Sequence, residues 1–269
     1  MLTKFRFGVK IDQDKINLKE PKAAKDLFET LGNSRADFNI FGGTTGITPE
    51  LNEEVLTLAA ETSMSQKIRF LEPSHPNQVP PKSVAKWLEE NLINALFVPW
   101  VLNTADTRFT YGFFEKWLRE WEEEEIPFPA SKVYRVGYLI LNPDSSVALY
   151  TGADASLGVK DYQAPEKFEE YLEAVGRYCE IGARHMNAVY IEGSGKLLDP
   201  RIVTYGRKRV PKDVALFYGG GIVTPEDGAK MYEAGKYEDA YTCLIAGDIA
   251  HKDPEMCNKI AEVIKSMGI

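Results

Sequence analysis

Three consecutive glycines, Gly219, Gly220 and Gly221, follow the apolar run 214–218 and precede Thr224-Pro225-Glu226. The run reads as a buried strand and the Thr-Pro-Glu triplet as a helix start. Glycines at such a junction let the main chain approach an anion, and the following helix directs free N–H groups and its positive dipole end to the same place. Related segments are Tyr190-Ile191-Glu192-Gly193-Ser194-Gly195 and Ala246-Gly247-Asp248. The amides of Ser194, Gly195, Gly221 and Gly247, with the Ser194 hydroxyl, could surround one phosphate. A further segment, Lys10-Ile11-Asp12, carries a carboxylate suited to Mg²⁺, which takes one or two carboxylates plus phosphate oxygens. Glu192 is a candidate general base. Taken singly, a Gly-Gly or Gly-Ser-Gly is usually a turn, and an Asp-x-Asp usually a solvated loop or cap.

The elements that would carry these residues alternate. Strands are expected at 5–11, 36–43, 67–73, 95–101, 133–141, 187–193, 214–220 and 241–248. Helices are expected at 19–31, 49–63, 82–91, 109–124, 166–182, weakly near 200–209, and at 226–235 and 254–268. The strands are short, apolar and rich in β-branched or aromatic residues, as in a sheet buried on both faces. No Gly/Ser-rich or Pro-rich linker divides the chain. The reading is a single α/β domain over 1–269, an eight-stranded parallel (β/α)8 barrel. Function in such barrels collects at the C-terminal strand ends, and the loops after strands 7 and 8 often bind phosphate. Five strand ends here carry glycine or paired charge, which sets a phosphate site at strands 6–8. Asp12 is expected across the barrel mouth from it.

Composition bounds the function. With 32 Lys+Arg against 40 Asp+Glu the net charge is −8, which disfavours a nucleic-acid partner. No run of eighteen apolar residues suggests a transmembrane span, and the N-terminal segment lacks the features of a signal peptide. Cys179, Cys243 and Cys257 have no metal-like spacing, which fits a reduced, cytoplasmic protein.

In order along the chain, these motifs resemble the geranylgeranylglyceryl and heptaprenylglyceryl phosphate synthase family. Lys10-Ile-Asp12-Gln-Asp-Lys15 is similar to the family's K-L-D-P-[DN]-K, and 41–48 (FGGTTGIT) to its GG[ST]-x-G-[VI]-T. Segment 97–104 (FVPWVLNT) resembles F-x-P-S-V-L-N-S, and 137–144 (GYLILNPD) resembles G-Y-x-I-x-N-P-D. Segment 190–195 resembles Y-L-E-Y-S-G, and FYGGGI matches the strand-7 motif. The resemblance implies a Mg²⁺-dependent prenyltransferase. It would join an allylic prenyl diphosphate, geranylgeranyl diphosphate being the expected donor, to the 3-hydroxyl of sn-glycerol 1-phosphate, the first ether bond of archaeal-type lipids. It also implies that Asp12 and Thr44 ligate the metal. Lys10, Tyr190, Ile191, Glu192, Gly193, Ser194, Gly195, Gly221, Gly247 and Asp248 would bind the acceptor phosphate, and Glu192 would be the base. Peripheral membrane contact and a homodimer are further expectations of that kind.

Four positions depart from the family pattern. Gln13 replaces a proline, and Gly193 an aromatic or alanine. Asp248 replaces an asparagine that could donate to phosphate, whereas a carboxylate cannot. The segment 80–92 adds a helix length of residues where the family leaves room for the prenyl tail. Trp100, Phe109, Tyr111, Phe113 and Phe114 would shape that groove or pack the core. Asp248 keeps open a related transferase using 3-phosphoglycerate, and a non-catalytic isoprenoid- or phosphate-binding barrel is the remaining alternative. His75, His185 and His251 read as surface or loop residues. The run 122–125 reads as a solvated helix end, and Arg207, Lys208 and Arg209 as a charged turn or a contact for anionic lipid.

Overall fold

The computed structural model describes residues 2–43 and 45–268. Its eight strands are β1 (Phe7–Asp12), β2 (Phe38–Gly42), β3 (Ile68–Glu72), β4 (Ala95–Val101), β5 (Val133–Ile140), β6 (Ala188–Glu192), β7 (Ala215–Gly219) and β8 (Thr242–Ala246). All pair in parallel with their sequence neighbours, and β8 closes on β1, so the sheet is the expected barrel. The helices are α1 (Pro21–Asn33), α2 (Pro49–Ala60), α3 (Pro81–Glu89), α4 (Tyr111–Glu123), α5 (Ser146–Thr151), α6 (Pro165–His185), α7 (Pro200–Arg209), α8 (Pro225–Ala234), α9 (Asp248–Lys252) and α10 (Pro254–Met267). Most of the long ones open on proline, whose fixed φ and missing N–H suit the first helical position.

Alternation along the strands sorts side chains into two layers. Phe7, Val9 and Ile11 of β1 join the layer between barrel and helices. The other layer fills the barrel with aromatic rings: Phe38, Phe70, Phe97 and Phe217 pack on one another, Phe70 and Phe97 stacked at 4.1 Å. The interior is therefore closed below by rings, Tyr134 among them, and the polar side chains that serve the cavity stand at the C-terminal rim. On β1 these are Lys10 and Asp12, on β3 Glu72, on β5 Tyr138, and on β6 Tyr190 and Glu192.

Two expected helices form, and their packing adds to the sequence reading. The 200–209 stretch is a regular helix, capped by Asp199. Arg207 at its end is neither a turn nor a lipid contact: it is 2% exposed and its guanidinium donates to the carbonyls of Val210, Pro211 and Tyr241. It ties the start of β7 to β8, at the end of the barrel away from the rim.

The extra segment forms α3 on the outside of the barrel. Trp87 is fully buried and its indole faces Glu53 of α2, which also pairs with Lys86. The carbonyl of Val79 accepts from Trp117 of α4. The helix is thus a packed part of the outer layer. Trp87→Ala is expected to cost about 3–5 kcal/mol in urea unfolding. A loss under about 1 kcal/mol would mean that α3 is only loosely docked.

Candidate active site

One cavity of about 410 Å³ opens at the C-terminal rim. Its polar half is lined by Lys10, Asp12, Lys15, Glu72, Tyr190, Glu192, Ser194, Gly195, Gly221, Gly247 and Asp248, and its apolar half by Pro99, Val101, Phe109, Phe113, Val147 and Tyr150. Most residues singled out from sequence therefore meet in one place.

Two of the predicted site residues do not line it. Ile191 points the other way, into the layer against α7, as alternation after Tyr190 requires. Gly193 is packed beneath the loop, its amide donating to the Gly219 carbonyl at 2.6 Å. Thr44 lies outside the described residues.

The glycine wall is built from loop amides. Gly219 leaves room for the Tyr190 ring: a Cβ there would fall 2.0 Å from the tyrosine oxygen. Gly221 has φ +64°, and a Cβ would fall 2.1 Å from the Leu197 nitrogen, so only glycine fits the crossing of these two loops. Among the described residues, none accepts a hydrogen bond from the amides of Gly195 or Gly221. Both are available to an anion in the cavity. At the start of α8 some of the free donors are taken up internally. Thr224 and Asp227 form a reciprocal capping box, and the Asp227 carboxylate accepts the amides of Val223 and Thr224. That helix end is neutralised by its own acid.

Glu192 is 8% exposed. Its Oε1 accepts from the Ser194 amide at 2.6 Å and the Ser194 hydroxyl at 3.1 Å, so that hydroxyl is turned toward the carboxylate. Burial pushes the Glu192 pKa up, against the opposing pull of Lys10 and these donors, so it is a stronger base than an exposed carboxylate.

Two members of the network, Glu72 and Tyr138, were not singled out from sequence. Glu72 accepts Lys10 Nζ at 2.5 Å and the Tyr138 hydroxyl. Burial alone would lower the Lys10 pKa, but Glu72, Glu192 and Asp12 more than reverse this and keep it charged. Tyr138 and Tyr190 stand in register on β5 and β6, rings 4.7 Å apart. The only sequence signal for Glu72 was an acid at a barrel strand's C-terminal end.

Asp12 is not across the mouth from β8, because β1 and β8 are neighbours. Lys15, on the turn after β1, bridges the two carboxylates, reaching Asp12 Oδ2 at 2.6 Å and Asp248 Oδ1 at 2.9 Å. This bond holds Asp248 below the usual carboxylate range, so it is ionised. His251 is half-buried rather than in a loop: it sits in α9, and its Nε2 accepts the Asp12 amide at 3.0 Å.

The model of the PcrB family matches residues 2–267. The chain belongs to the PcrB family. It is 31% identical over 249 residues to the geranylgeranylglyceryl phosphate synthase of Methanoculleus marisnigri, covering 91% of this chain and 89% of that one. It is 28% identical over 237 residues to the heptaprenylglyceryl phosphate synthase of Listeria monocytogenes, covering 88% and 90%. Among solved structures, the barrel is similar to the (S)-3-O-geranylgeranylglyceryl phosphate synthase of Thermoplasma acidophilum in complex with sn-glycerol-1-phosphate. That likeness has a TM-score of 0.73 at 17% identity and covers 98% of this chain and 94% of that one. At such identity it speaks for the fold.

The charge balance within this PcrB-family rim makes its own prediction. Lys10→Met removes the cation that opposes the raised Glu192 pKa and leaves Glu72 without its pair. With its folded pKa higher still, Glu192 is easier to protonate in the folded chain than in the unfolded one. The loss in unfolding free energy should then be about 3 kcal/mol near pH 8 and shrink as pH falls toward the ordinary carboxylate value. Urea unfolding at pH 5 and pH 8 measures it. An equal loss at both would mean that Lys10 acts by packing alone.

Proposed function

We propose that the chain is a prenyltransferase that joins a prenyl diphosphate to the 3-hydroxyl of sn-glycerol 1-phosphate. Relatives named for products of this kind, one geranylgeranyl and one heptaprenyl, support the class. The observation that carries it is the cavity itself: a glycine wall with free amides and an apolar groove meet at the buried carboxylate of Glu192. The acceptor phosphate would lie on the amides of Gly195 and Gly221 beside Gly247. The acceptor hydroxyl would lie toward Glu192.

Glu192 takes the hydroxyl proton as the oxygen bonds to C1 of the prenyl chain. The C1–O bond to diphosphate breaks, and the diphosphate leaves with the electron pair. Positive charge builds on the allylic carbon, and the faces of Tyr138 and Tyr190 are suited to it. Val101, Phe109, Phe113 and Tyr150 exclude water and hold the tail, with Tyr111 and Leu149 exposed on neighbouring turns. Among the described residues, none of α3 lines this cavity. Among the described helices none is long and apolar enough to cross a membrane, so the prenyl substrate would enter from a membrane surface or a carrier. A homodimer is part of this proposal by family resemblance alone.

Magnesium fits the residues present. Among the described residues there is no group of three or more His, Cys, Asp or Glu side chains able to form a protein cage. Asp12 nevertheless directs one carboxylate into the cavity with a cation, the Lys15 ammonium, already on it. One carboxylate completed by substrate phosphate oxygens is a usual Mg²⁺ arrangement, and Asp12 with Thr44 would hold the ion. When bound, it supplies charge neutralisation to the diphosphate leaving group.

The ionised Asp248 disfavours 3-phosphoglycerate, whose extra carboxylate would add to the charge of that wall. Radiolabelled transfer from geranylgeranyl and longer prenyl diphosphates, with both acceptors and Mg²⁺, tests the reading. Transfer to glycerol 1-phosphate is expected, with Asp12→Asn losing most activity at an unchanged melting temperature. No transfer to either acceptor, or a fully active Asp12→Asn, would contradict it.

The raised Glu192 pKa also sets the pH profile. A base works when deprotonated, so kcat should fall on the acid side at a pH above the ordinary carboxylate range. Glu192→Gln should abolish this limb and reduce kcat by about 10²–10⁴. An acid limb that persists in Glu192→Gln would assign the base elsewhere.

A further inference from the structure

A cavity meant for two anionic substrates carries more negative than positive charge. Lys10, Lys15 and Lys252 line it against Asp12, Glu72, Glu192 and Asp248. Lys10 is engaged by Glu72 at 2.5 Å. Asp248 stands in the anion-facing wall itself: its Oδ2 lies 3.4 Å from where a side chain on Gly195 would begin. A carboxylate offers phosphate no donor and repels it. Its other oxygen, Oδ1, is occupied by Lys15 Nζ at 2.9 Å. Lys15 is rooted on the opposite side of the β1–β8 seam and reaches Asp12 with the same ammonium. A flexible four-carbon stem ending in a compact charge with three donors can serve both carboxylates and an anion between them.

We propose that Lys15 is a specificity-determining residue of this site, screening the Asp248 carboxylate so that the wall accepts a phosphate-bearing acceptor. The proposal rests on the glycerol phosphate reading above. Together the two side chains are neutral, as a single amide would be, and Lys15 provides the donors that the carboxylate lacks. Both are close to half exposed, at 42% and 44%. Solvent therefore weakens their worth to the fold, and the effect belongs in ligand affinity.

The test is calorimetric binding of sn-glycerol 1-phosphate, without metal or prenyl diphosphate, to the wild type, Lys15→Met and the double variant Lys15→Met/Asp248→Asn. Lys15→Met should weaken binding by about tenfold or more, because an unscreened like charge then faces the phosphate. Adding Asp248→Asn should bring affinity back to within about threefold of wild type, as expected for coupled neighbours, although Lys15 is still missing and Asp12 still unscreened. Matching thermal melts establish that the three proteins fold alike. Wild-type affinity in Lys15→Met, or a double variant as weak as the single one, overturns the proposal. A wild type that binds no glycerol 1-phosphate overturns the acceptor reading and the proposal with it.

Discussion

A single half-buried ammonium organises the rim. Lys10 projects inward from β1 at the level where the aromatic filling of the barrel ends, pairs with Glu72 of β3, and acts on Glu192 of β6. Carboxylates from two strands can share a desolvated cavity floor only if a cation lies between them. With it in place, Tyr138 can donate to Glu72, and Glu192 can remain an acceptor for Ser194 at the mouth of the glycine wall. The constraint begins lower down. Phe38, Phe70, Phe97 and Phe217 fill the interior so completely that inward-facing polar groups have only the rim to occupy.

The cavity above that floor is divided by chemistry. Along β6 to β8, loops crossing at Gly221 expose amides that no described group accepts, while α8 is closed by its own aspartate. Toward β4 and β5 the lining is aromatic and aliphatic. At the β1–β8 seam two acids approach each other and Lys15 holds them together. A ligand with a compact anion at one end and a long apolar chain at the other matches this layout better than a uniformly polar one.

The fold was largely legible from sequence because each unit repeats the same signals. A short apolar run gives way to a helix opened by proline, and β4 was located to the residue. The short α5 and α9 were missed, since five or six residues carry no period. The glycine wall was suggested by several strand ends carrying glycine together, where one alone is usually a turn. Ile191 and Gly193 stand off the cavity lining because a contiguous motif is not a contiguous surface: strand alternation turns one residue in two away. Glu72, Tyr138, Lys15 and His251 required three dimensions: their distant partners lie between 62 and 239 residues away. Nothing local marks a lysine that joins β1 to β8.

The central claim is that the amides at 195 and 221 form the acceptor's phosphate site, with Glu192 beside the acceptor hydroxyl. A crystal structure of the protein with sn-glycerol 1-phosphate and a non-reactive prenyl thiodiphosphate tests it most directly. The account predicts phosphate oxygens within hydrogen-bond distance of Gly195 and Gly221, the free hydroxyl at Glu192, and the prenyl chain along Val101, Phe109 and Phe113. An acceptor phosphate bound elsewhere on the rim, with Glu192 facing no hydroxyl, would contradict it.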